Sequence, residues 1–464
     1  MPSLRPASPA AADTRPVHFV GIAGAGMSAL AELLVRRGTP LTGCDANPSA
    51  AADLERLGVK IAAGHDPAHV DGARSLVVTS AMPKDHPELA RARSLGIPVV
   101  RRAEALAHAV AIGDVIGISG THGKTTTTVM TTEALAAAGL APTGIAGGRV
   151  GSWRGNLSAG GDRLFVVEAD EYDRSFLALA PAIAVVTNVE ADHLDIYADL
   201  ADIRAAFTQF VSGARAIVLC GDDPGATGLR TPSAAEVIRY GLLSADSRLV
   251  ASDVRAEHGG SRFSARYDDK PLGEVVLRVP GRHNVLNALA ALASGLALGA
   301  DAPRMIAGLE GFSGVERRFE RVGDARGVTI VDDYAHHPTE IRATLAAARA
   351  SFPGRRIVAA FQPHLYSRTR DFAGEFGTAL AAADEIYLTE IYPAREQPIA
   401  GISASLIERA ALDAGGTIAW RGERSALASA LAAGVRAGDI VLTIGAGDIT
   451  RTGAELLARL TAAA

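Results

Sequence analysis

The stretch that most constrains the fold of this chain covers residues 115–128 and reads VIGISGTHGKTTTT. An apolar run is followed by a glycine-rich turn, and Gly123, Lys124 and Thr125 then open a segment with helical character. This order of strand, loop and helix predicts a phosphate-binding loop, because backbone N–H groups at a helix N-terminus attract an anion. Lys124 is then placed to reach the outer phosphates of a nucleoside triphosphate, and the Thr125 hydroxyl is placed to hold Mg²⁺.

The loop departs from the general P-loop spacing at one position. The general pattern G-x-x-x-x-G-K-[ST] begins with a glycine, and the corresponding residue here is Ile118. The nearest glycines are Gly117 and Gly120, so we interpret the segment as a variant loop, G-T-H-G-K-T. A structural turn with a surface lysine is the alternative, but it leaves the shared placement of glycine, lysine and threonine unexplained.

Composition bounds the class of protein. The chain has 464 residues, enough for about three domains, and it is 48% hydrophobic and 21% charged. The net charge of −5 gives no indication of a nucleic-acid partner. Two cysteines, Cys44 and Cys220, are too few for a disulfide framework and favour a reducing cytoplasm. Residues 1–15 predict a disordered tail, and no apolar run is long enough to predict a membrane span.

Residues 16–110 predict a Rossmann-like α/β domain, since short apolar strands alternate with helical segments. Its first strand runs into a turn that contains Gly24 and Gly26, and Asp45 follows at the end of the second strand. The order G-x-x-G-x-G lacks the final spacing of the dinucleotide fingerprint, so it predicts a phosphate or diphosphate at a helix N-terminus better than it predicts NAD. An NAD-dependent dehydrogenase would leave the loop at Lys124 unexplained, and a purely structural turn stays an alternative.

Residues 111–312 predict a nucleotide-binding domain of P-loop type around the loop. Two further strands in this region end in acidic or histidine side chains, which are Glu168, Asp170, Glu171 and Asp173 after the first strand and Glu190, Asp192 and His193 after the second. The carboxyl ends of parallel strands meet at one edge of a sheet, where ligands bind, so these side chains predict ligands for MgATP. Solvated acidic turns are the alternative.

Two more regions add candidate binding residues. Asn284 and Asn287 share a face of the first turn of a long Ala/Leu helix, where their amides could hold a nucleobase or ribose, with helix capping as the alternative. Residues 313–464 predict a third domain with a second parallel α/β sheet. The strand from Val328 to Val331 ends in D-D-Y-A-H-H-P, and the next strand ends in Q-P-H-L-Y-S-R.

Taken together, these motifs resemble those of the Mur ligase family. The resemblance covers about residues 16 to 460 and rests on G-T-H-G-K-T-T-T, E-A-D-E-Y-D, N-x-x-x-D-H-L-D, G-R-H-N-x-x-N-A, R-R-F, D-D-Y-A-H-H-P-T-E and F-Q-P-H-x-Y-S-R-T, in family order. It implies a three-domain cytoplasmic enzyme of peptidoglycan synthesis that binds a UDP-sugar, ATP and an amino acid in successive domains. The implied reaction is ATP-driven amide formation, in which the lactyl carboxylate of UDP-N-acetylmuramate becomes an acyl phosphate and L-alanine displaces phosphate.

The resemblance also implies roles for individual residues. The catalytic residues would be Lys124, Glu168, His193 and Arg318, and the ligands of two Mg²⁺ ions would include Thr125, Glu168 and His193. ATP would contact Gly120, Thr121, His122, Gly123, Lys124, Thr125, Thr126, Asn284, Asn287, Arg318 and Asp333. The UDP-sugar would contact Gly24, Ala25, Gly26, Met27, Asp45, Ser80 and Asn156. The amino acid would contact Tyr334, His336, His364 and Arg368.

Three departures from the family pattern bear on these roles. No lysine occurs between Asn188 and Tyr240, so the carbamylated lysine that other Mur ligases use near the second metal is absent, as expected for the alanine-adding branch. Leu365 stands where many relatives have arginine, which bears on the amino-acid contacts. Tyr172 replaces a more common serine.

Other functions stay open at this level. A murein tripeptide is an alternative amine, although D-R-S-F at 173–176 favours L-alanine. A P-loop binding or motor protein would hydrolyse ATP without regard to the UDP-sugar. Folate polyglutamate synthesis is disfavoured by the motif that contains Asp333 and His336. The expected partners are small molecules, with no nucleic acid and no membrane insertion, and the expected state is a monomer or weak dimer.

Overall fold

The computed structural model describes residues 13–79, 82–257, 259–394 and 396–462. Within these residues the strands form three sheets covered by helices, which confirms the predicted α/β class. The predicted contact residue Ser80 and most of the predicted tail at 1–15 lie outside the described residues. No helix in the described ranges combines the length and apolar character that crossing a membrane requires.

The N-terminal sheet is parallel, with strand order β3-β2-β1-β4-β5 in the described residues. Its strands are β1 (Val17–Val20), β2 (Leu41–Asp45), β3 (Lys60–Ala63), β4 (Ser75–Val78) and β5 (Val99–Arg101). Its helices are α1 (Ala25–Arg36), α2 (Ala52–Arg56), α3 (Pro87–Ser94) and α4 (Arg102–Val110). The order reverses direction at β1, so the loop after β1 lies at the switch point where doubly wound sheets bind ligands.

The central sheet is mixed, with the order β15-β14-β13-β12-β11-β10-β6-β9-β7-β8 among described residues. Its strands are β6 (Asp114–Ser119), β7 (Thr143–Val150), β8 (Gly155–Ser158), β9 (Leu164–Glu168), β10 (Ile183–Val186), β11 (Ala216–Cys220), β12 (Glu236–Gly241), β13 (Leu249–Glu257), β14 (Gly260–Tyr267) and β15 (Lys270–Leu277). Its helices are α5 (Lys124–Ala137), α6 (Leu200–Val211), α7 (Pro224–Thr227), α8 (Arg282–Leu296) and α9 (Ala302–Gly311). Because β6 pairs in parallel with β9 and β10, the loop after β6 is flanked by the ends of both strands.

The C-terminal sheet has the order β16-β17-β21-β18-β19-β20 in the described part of the chain. Its strands are β16 (Glu320–Ala325), β17 (Val328–Asp333), β18 (Ile357–Phe361), β19 (Glu385–Thr389), β20 (Ile418–Gly422) and β21 (Ile440–Ile444). Its helices are α10 (Pro338–Ser351), α11 (Tyr366–Leu380), α12 (Ser405–Asp413), α13 (Arg424–Gly434) and α14 (Thr450–Ala462). Strands β17 to β21 pair in parallel as predicted, and β16 adds an antiparallel edge that the sequence analysis does not anticipate.

The antiparallel edge has a local cause. Arg326 and Gly327, which connect β16 to β17, have φ values of 51° and 77°. Two successive residues in the left-handed region make the tight turn that matches the twist of a β-hairpin. The glycine adopts this conformation without strain. Arginine is uncommon at such a position, so the sequence pattern does not predict the turn.

The chain divides into two compact units. The first runs to Ala251 and also includes Ala265–Gly273 and Leu286–Leu309, and the second includes Ser252–Ser264, Glu274–Val285 and the chain from Glu310 on. In the first unit one apolar core joins the N-terminal and central sheets, and α1 packs on β7 and β8. In the second unit apolar cores cover both faces of the C-terminal sheet.

Candidate active site

The phosphate-binding loop has the backbone that its glycines allow. Gly120 and Gly123 have φ values of 138° and 80°, where other residues are strained. The side chain of Asn188 holds the loop in this shape, because its Oδ1 accepts a bond from the His122 N–H (2.7 Å) and its Nδ2 donates to the His122 carbonyl (3.2 Å). Asn188 follows β10, so the neighbouring strand end fixes the loop.

Lys124 folds back over this loop. Its Nζ donates to the carbonyl oxygens of Gly120 (2.8 Å) and Thr121 (3.2 Å) and forms an ion pair with Glu171 (2.8 Å). Burial works against the charged amine, but Glu171 and neighbouring carboxylates outweigh it and raise the pKa of Lys124. The lysine is therefore a fixed cation at the loop, and its partner Glu171 belongs to the acidic cluster that the sequence analysis predicts to bind MgATP.

Glu168 and Thr125 come together as predicted from their strand and helix ends. The Thr125 hydroxyl donates to Glu168 Oε1 at 2.9 Å, and the Gly147 N–H donates to Glu168 Oε2. Burial raises the pKa of Glu168. A half-buried carboxylate beside a hydroxyl is an oxygen donor set that suits a hard divalent cation such as Mg²⁺.

His193 lies on the other side of Glu171. Its backbone is left-handed, with φ 52°, and its Nε2 lies 3.6 Å from Glu171 Oε1 and 3.7 Å from Asp192 Oδ2. Burial works against the charged form of Glu171, but Lys124 and His193 outweigh it and lower the pKa of that carboxylate. Glu171 thus joins the predicted lysine to the predicted histidine.

The two asparagines of α8 make different contacts. Asn287 Oδ1 accepts a bond from the Thr127 hydroxyl (3.1 Å), and a Cβ added at Gly123 would lie 2.6 Å from the same oxygen. Asn284 Nδ2 instead donates to the Pro280 carbonyl (2.7 Å), at the start of its own helix. Asn287 therefore lies against the loop, whereas Asn284, through this bond, contacts the backbone just before its own helix and does not cap the helix N–H groups.

The glycine-rich loop after β1 is braced by Asp45. The two carboxylate oxygens accept bonds from the Ala23 N–H (2.9 Å) and the Asn47 N–H (2.8 Å). Gly24 precedes the first residue of α1, so the predicted contacts Ala25, Gly26 and Met27 form its first turn. A Cβ at Gly26 would lie 2.9 Å from Arg102 Nη1, which places a cation here that the sequence analysis missed.

Asn156 lies on β8, against which α1 packs. The residue is 8% exposed, and its Nδ2 is buried without a hydrogen-bond partner among the described residues. Such an orphaned donor is unfavourable unless a ligand satisfies it. The first unit therefore brings the glycine loop and an available amide donor close to the same helix.

In the second unit, predicted residues gather after β17. The carboxylate of Asp333 accepts bonds from the Phe319 N–H (2.9 Å) and the Ala335 N–H (2.8 Å). The guanidinium groups of Arg317 and Arg318 pack on the Tyr334 ring, at 4.8 and 5.0 Å from its centroid. Asp333 thus shapes the loop itself, and Arg317 is a cation to which the sequence analysis gives no role.

Of the remaining predicted amino-acid contacts, His336 follows β17, whereas His364 and Arg368 follow β18. The rings of His336 and His364 are 6.2 Å apart, and His364 stacks on Tyr392 at 5.8 Å. Leu365 is buried with φ 73°, a strained backbone for a branched side chain, and it precedes α11, which carries the buried Arg368. The departure at Leu365 therefore lies within the cluster and turns its side chain into the core.

The buried carboxyl of Asp333 predicts a pH effect on stability. Burial, opposed in part by Arg318, raises the pKa of Asp333 from 3.8 to about 6. Because folding favours the protonated form, its stabilisation is complete below the ordinary pKa and is lost as pH rises through the folded value. We expect the free energy of unfolding of the wild type, relative to Asp333→Asn, to fall by about 2 kcal/mol from about pH 4 to about pH 7.

Urea unfolding of both proteins across this pH range measures the difference directly. A matched control is Asp269→Asn, since Asp269 is exposed and the difference curve should then be flat. A flat curve for Asp333→Asn as well would contradict the inferred pKa.

These features define a class of enzyme. A glycine loop with a buried lysine lies between strand ends that carry carboxylates, and this is the layout of a P-loop enzyme that transfers a phosphoryl group. Models of known families match three segments: the Mur ligase family catalytic domain at residues 16–112, the Mur ligase middle domain at 118–295, and the Mur ligase glutamate ligase domain at 317–447. The chain therefore belongs to the Mur ligase family.

Individual relatives are similar over nearly the whole chain. The UDP-N-acetylmuramate–L-alanine ligase of Acidothermus cellulolyticus is 47% identical over 93% of this chain and 91% of that protein. The solved UDP-N-acetylmuramate-alanine ligase of Thermotoga maritima superposes with a TM-score of 0.83 at 29% identity, covering 97% of this chain and 100% of that one. The murein peptide ligase of Psychrobacter arcticus gives a TM-score of 0.71 at 25% identity, covering 96% and 98%.

Proposed function

We propose that the chain is an ATP-dependent ligase that joins L-alanine to the lactyl carboxylate of UDP-N-acetylmuramate, with release of ADP and phosphate, in peptidoglycan synthesis. The observation that carries this proposal is the 47% identity, over 93% of the chain, with a UDP-N-acetylmuramate–L-alanine ligase. The TM-score of 0.83 with an alanine ligase, against 0.71 with a murein peptide ligase, favours L-alanine over a tripeptide as the amine.

The domain boundaries belong to the same proposal. We infer a UDP-sugar domain at 16–110, an ATP domain at 111–312 and an amino-acid domain at 313–464. The three family matches, which begin at residues 16, 118 and 317, support these boundaries. The buried free thiols of Cys44 and Cys220 support a reducing compartment, the cytoplasm.

The residues around the loop suit phosphoryl transfer to a carboxylate. A carboxylate is a poor acyl donor because oxide is a poor leaving group, whereas an acyl phosphate can lose phosphate when an amine attacks. Lys124, kept cationic by Glu171, would lie against the outer phosphates, and the backbone N–H groups at the start of α5 would surround them. Both would stabilise the negative charge that spreads over the transferred group.

Thr125 and Glu168 would hold one Mg²⁺ ion, since their oxygens are adjacent and the half-buried carboxylate lacks part of the water that would otherwise solvate its charge. When bound, Mg²⁺ would neutralise phosphate charge during transfer. His193 would be a ligand of a second Mg²⁺ ion. Glu171, 3.6 Å from its ring nitrogen, would position that ring.

The cluster after β17 and β18 would receive the amino acid. Arg368 would bind the carboxylate of alanine, because a guanidinium matches that group in charge and shape. Tyr334, His336 and His364 would line the same site. Arg318, packed on Tyr334, would offset phosphate charge.

An amine-specificity assay tests the proposed function. Phosphate release is measured with ATP, UDP-N-acetylmuramate and either L-alanine or murein tripeptide, and the product is identified by its mass in a mass spectrometer. We expect turnover with L-alanine that depends on the UDP-sugar. Turnover with the tripeptide but not with L-alanine would indicate the recycling reaction. ATP hydrolysis that does not depend on the UDP-sugar or the amine would indicate a motor or binding protein.

The orphaned donor of Asn156 predicts an effect on acceptor binding. We expect Asn156→Ala to raise the KM for the UDP-sugar by about 10-fold, the effect of losing one hydrogen bond to a charged or polar group, and to leave the KM for ATP unchanged. Steady-state kinetics with each substrate varied in turn measure both values. Equal changes in the two KM values would instead indicate a general disturbance of the first unit.

A further inference from the structure

The N-terminal sheet carries a second group of metal-ligand side chains that the proposed function does not use. The group surrounds Glu88 in the first turn of α3, and its members come from β1, β2 and the loops before α3: His18, Cys44, His65, His69 and His86. Ligand atoms of His18, Cys44, His69 and Glu88 all lie within 4.8 Å of one another, and so do those of His65, His86 and Glu88. Five side chains of the types that bind transition metals thus converge on one carboxylate.

Glu88 is the centre of this group and is fully buried, with 0% exposure. Cys44 Sγ donates to its two oxygens at 3.2 and 3.3 Å, and His69 Nδ1 lies 3.0 Å from Oε1. The only ion-pair partners of Glu88 among the described residues are histidines, at 3.0 to 4.0 Å. A buried carboxylate without lysine or arginine needs another source of positive charge.

Two histidines offer nitrogens to an additional partner. His18 Nδ1 is fixed by the Thr42 hydroxyl at 2.9 Å, while its Nε2 is buried and has no hydrogen-bond partner in the described residues. His86 Nδ1 is likewise buried without a hydrogen-bond partner there, and lies 4.0 Å from Glu88 Oε2.

We propose that His18, Cys44, His69 and Glu88 bind a Zn²⁺ ion in the N-terminal sheet. One thiolate, two imidazoles and one carboxylate form a tetrahedral ligand set that suits this borderline-soft cation and does not suit Mg²⁺. On binding, the Cys44 S–H bond breaks, the sulfur binds the ion, and the proton leaves to solvent. The Thr42 hydroxyl bound to His18 is the kind of contact that orients a metal-binding ring.

The site is accessible and is connected to the predicted acceptor loop. A cavity of about 290 Å³ is lined in part by His18 and His69, and gives the ion a path from solvent. The carbonyl of Cys44 accepts bonds from the Gly21 N–H (2.9 Å) and the Ile22 N–H (3.1 Å), which begin the glycine-rich loop. An ion on the Cys44 sulfur would therefore stiffen the strand end that supports this loop.

Cobalt spectroscopy tests the proposal on the full chain. Metal-free protein in excess Mg²⁺ is titrated with Co²⁺, which replaces Zn²⁺ and gives a thiolate-to-metal absorption band only when sulfur is bound. We expect one equivalent to produce this band and Zn²⁺ to abolish it. Cys44→Ser should lose the band, and Cys220→Ser, which changes the other buried free thiol, should keep it.

A second measurement does not depend on any variant folding. X-ray absorption of the wild type with one equivalent of Zn²⁺ should show a sulfur neighbour at about 2.3 Å together with nitrogen and oxygen neighbours at about 2.0–2.2 Å.

Glu88→Gln should weaken Zn²⁺ binding by about 100-fold or more. A zinc spectrum without sulfur, or a cobalt band that survives in Cys44→Ser, would overturn the proposal. Neither readout requires turnover, so the ligase function is tested separately.

Discussion

Lys124→Met is expected to lower kcat/KM for ligation by on the order of 1,000-fold, because the cation that faces the outer phosphates is lost. The same change should also destabilise the protein. Lys124 and Glu171 form a buried pair at 2.8 Å, with side-chain exposures of 14% and 3%, and removal of the lysine leaves Glu171 without its main counter-charge. We expect the free energy of unfolding to fall by about 3–5 kcal/mol.

A double variant separates the two effects. Lys124→Met/Glu171→Gln removes both charges, so stability measured by urea unfolding should recover in part, while phosphate release should stay at the level of the single variant. Lys270→Met is the matched control, because Lys270 is exposed at the start of β15 and should change neither quantity. Recovery of activity together with stability would mean that Lys124 is structural.

Glu168→Gln is expected to lower kcat/KM by on the order of 100-fold, since a neutral amide is a much weaker Mg²⁺ ligand than a carboxylate. The amide oxygen can still accept the bond from the Thr125 hydroxyl, which is 2.9 Å long in the wild type. The amide nitrogen that replaces Oε2 cannot accept the bond that the Gly147 N–H donates, so the free energy of unfolding should fall by about 1–3 kcal/mol. Titration of Mg²⁺ at saturating ATP should show a higher requirement for the ion in the variant.

Glu133→Gln provides the comparison for this result. Glu133 lies on helix α5, and burial raises its pKa as it does that of Glu168, but Glu133 accepts bonds from Ser152 and Trp153 away from the loop. Its substitution should leave the Mg²⁺ requirement unchanged. An equal response in the two variants would show that the effect at Glu168 comes from burial and not from metal binding.

The sequence reveals the parts of the site whose chemistry is local. The spacing of Gly120, Gly123, Lys124 and Thr125 predicts the loop, because a helix N-terminus and its preceding turn are formed by neighbouring residues. The same holds for the helix that begins at Pro338. The proximity of Thr125 and Glu168 can also be predicted from sequence, since one begins a helix and the other ends a strand, and a parallel sheet brings such ends to one edge.

Other contacts could not be inferred from sequence because they depend on sheet order. Glu171 meets Lys124 across 47 residues of chain only because β9 pairs directly with β6. The bracing of the glycine loop by Asp45 requires β2 to lie beside β1, and the hairpin turn at Arg326 depends on a backbone conformation that arginine rarely adopts.

By itself, the sequence determined the α/β class, the family and the identity of the phosphate-binding loop, because hydrophobic periodicity and short motifs are properties of neighbouring residues. Only the tertiary structure decided which charges pair, which amide is left without a partner, and which side chains surround Glu88. His18, Cys44 and Glu88 are scattered along the N-terminal segment and carry no motif. They converge because the order of the parallel strands depends on packing across the whole domain, and local sequence patterns do not reveal that order.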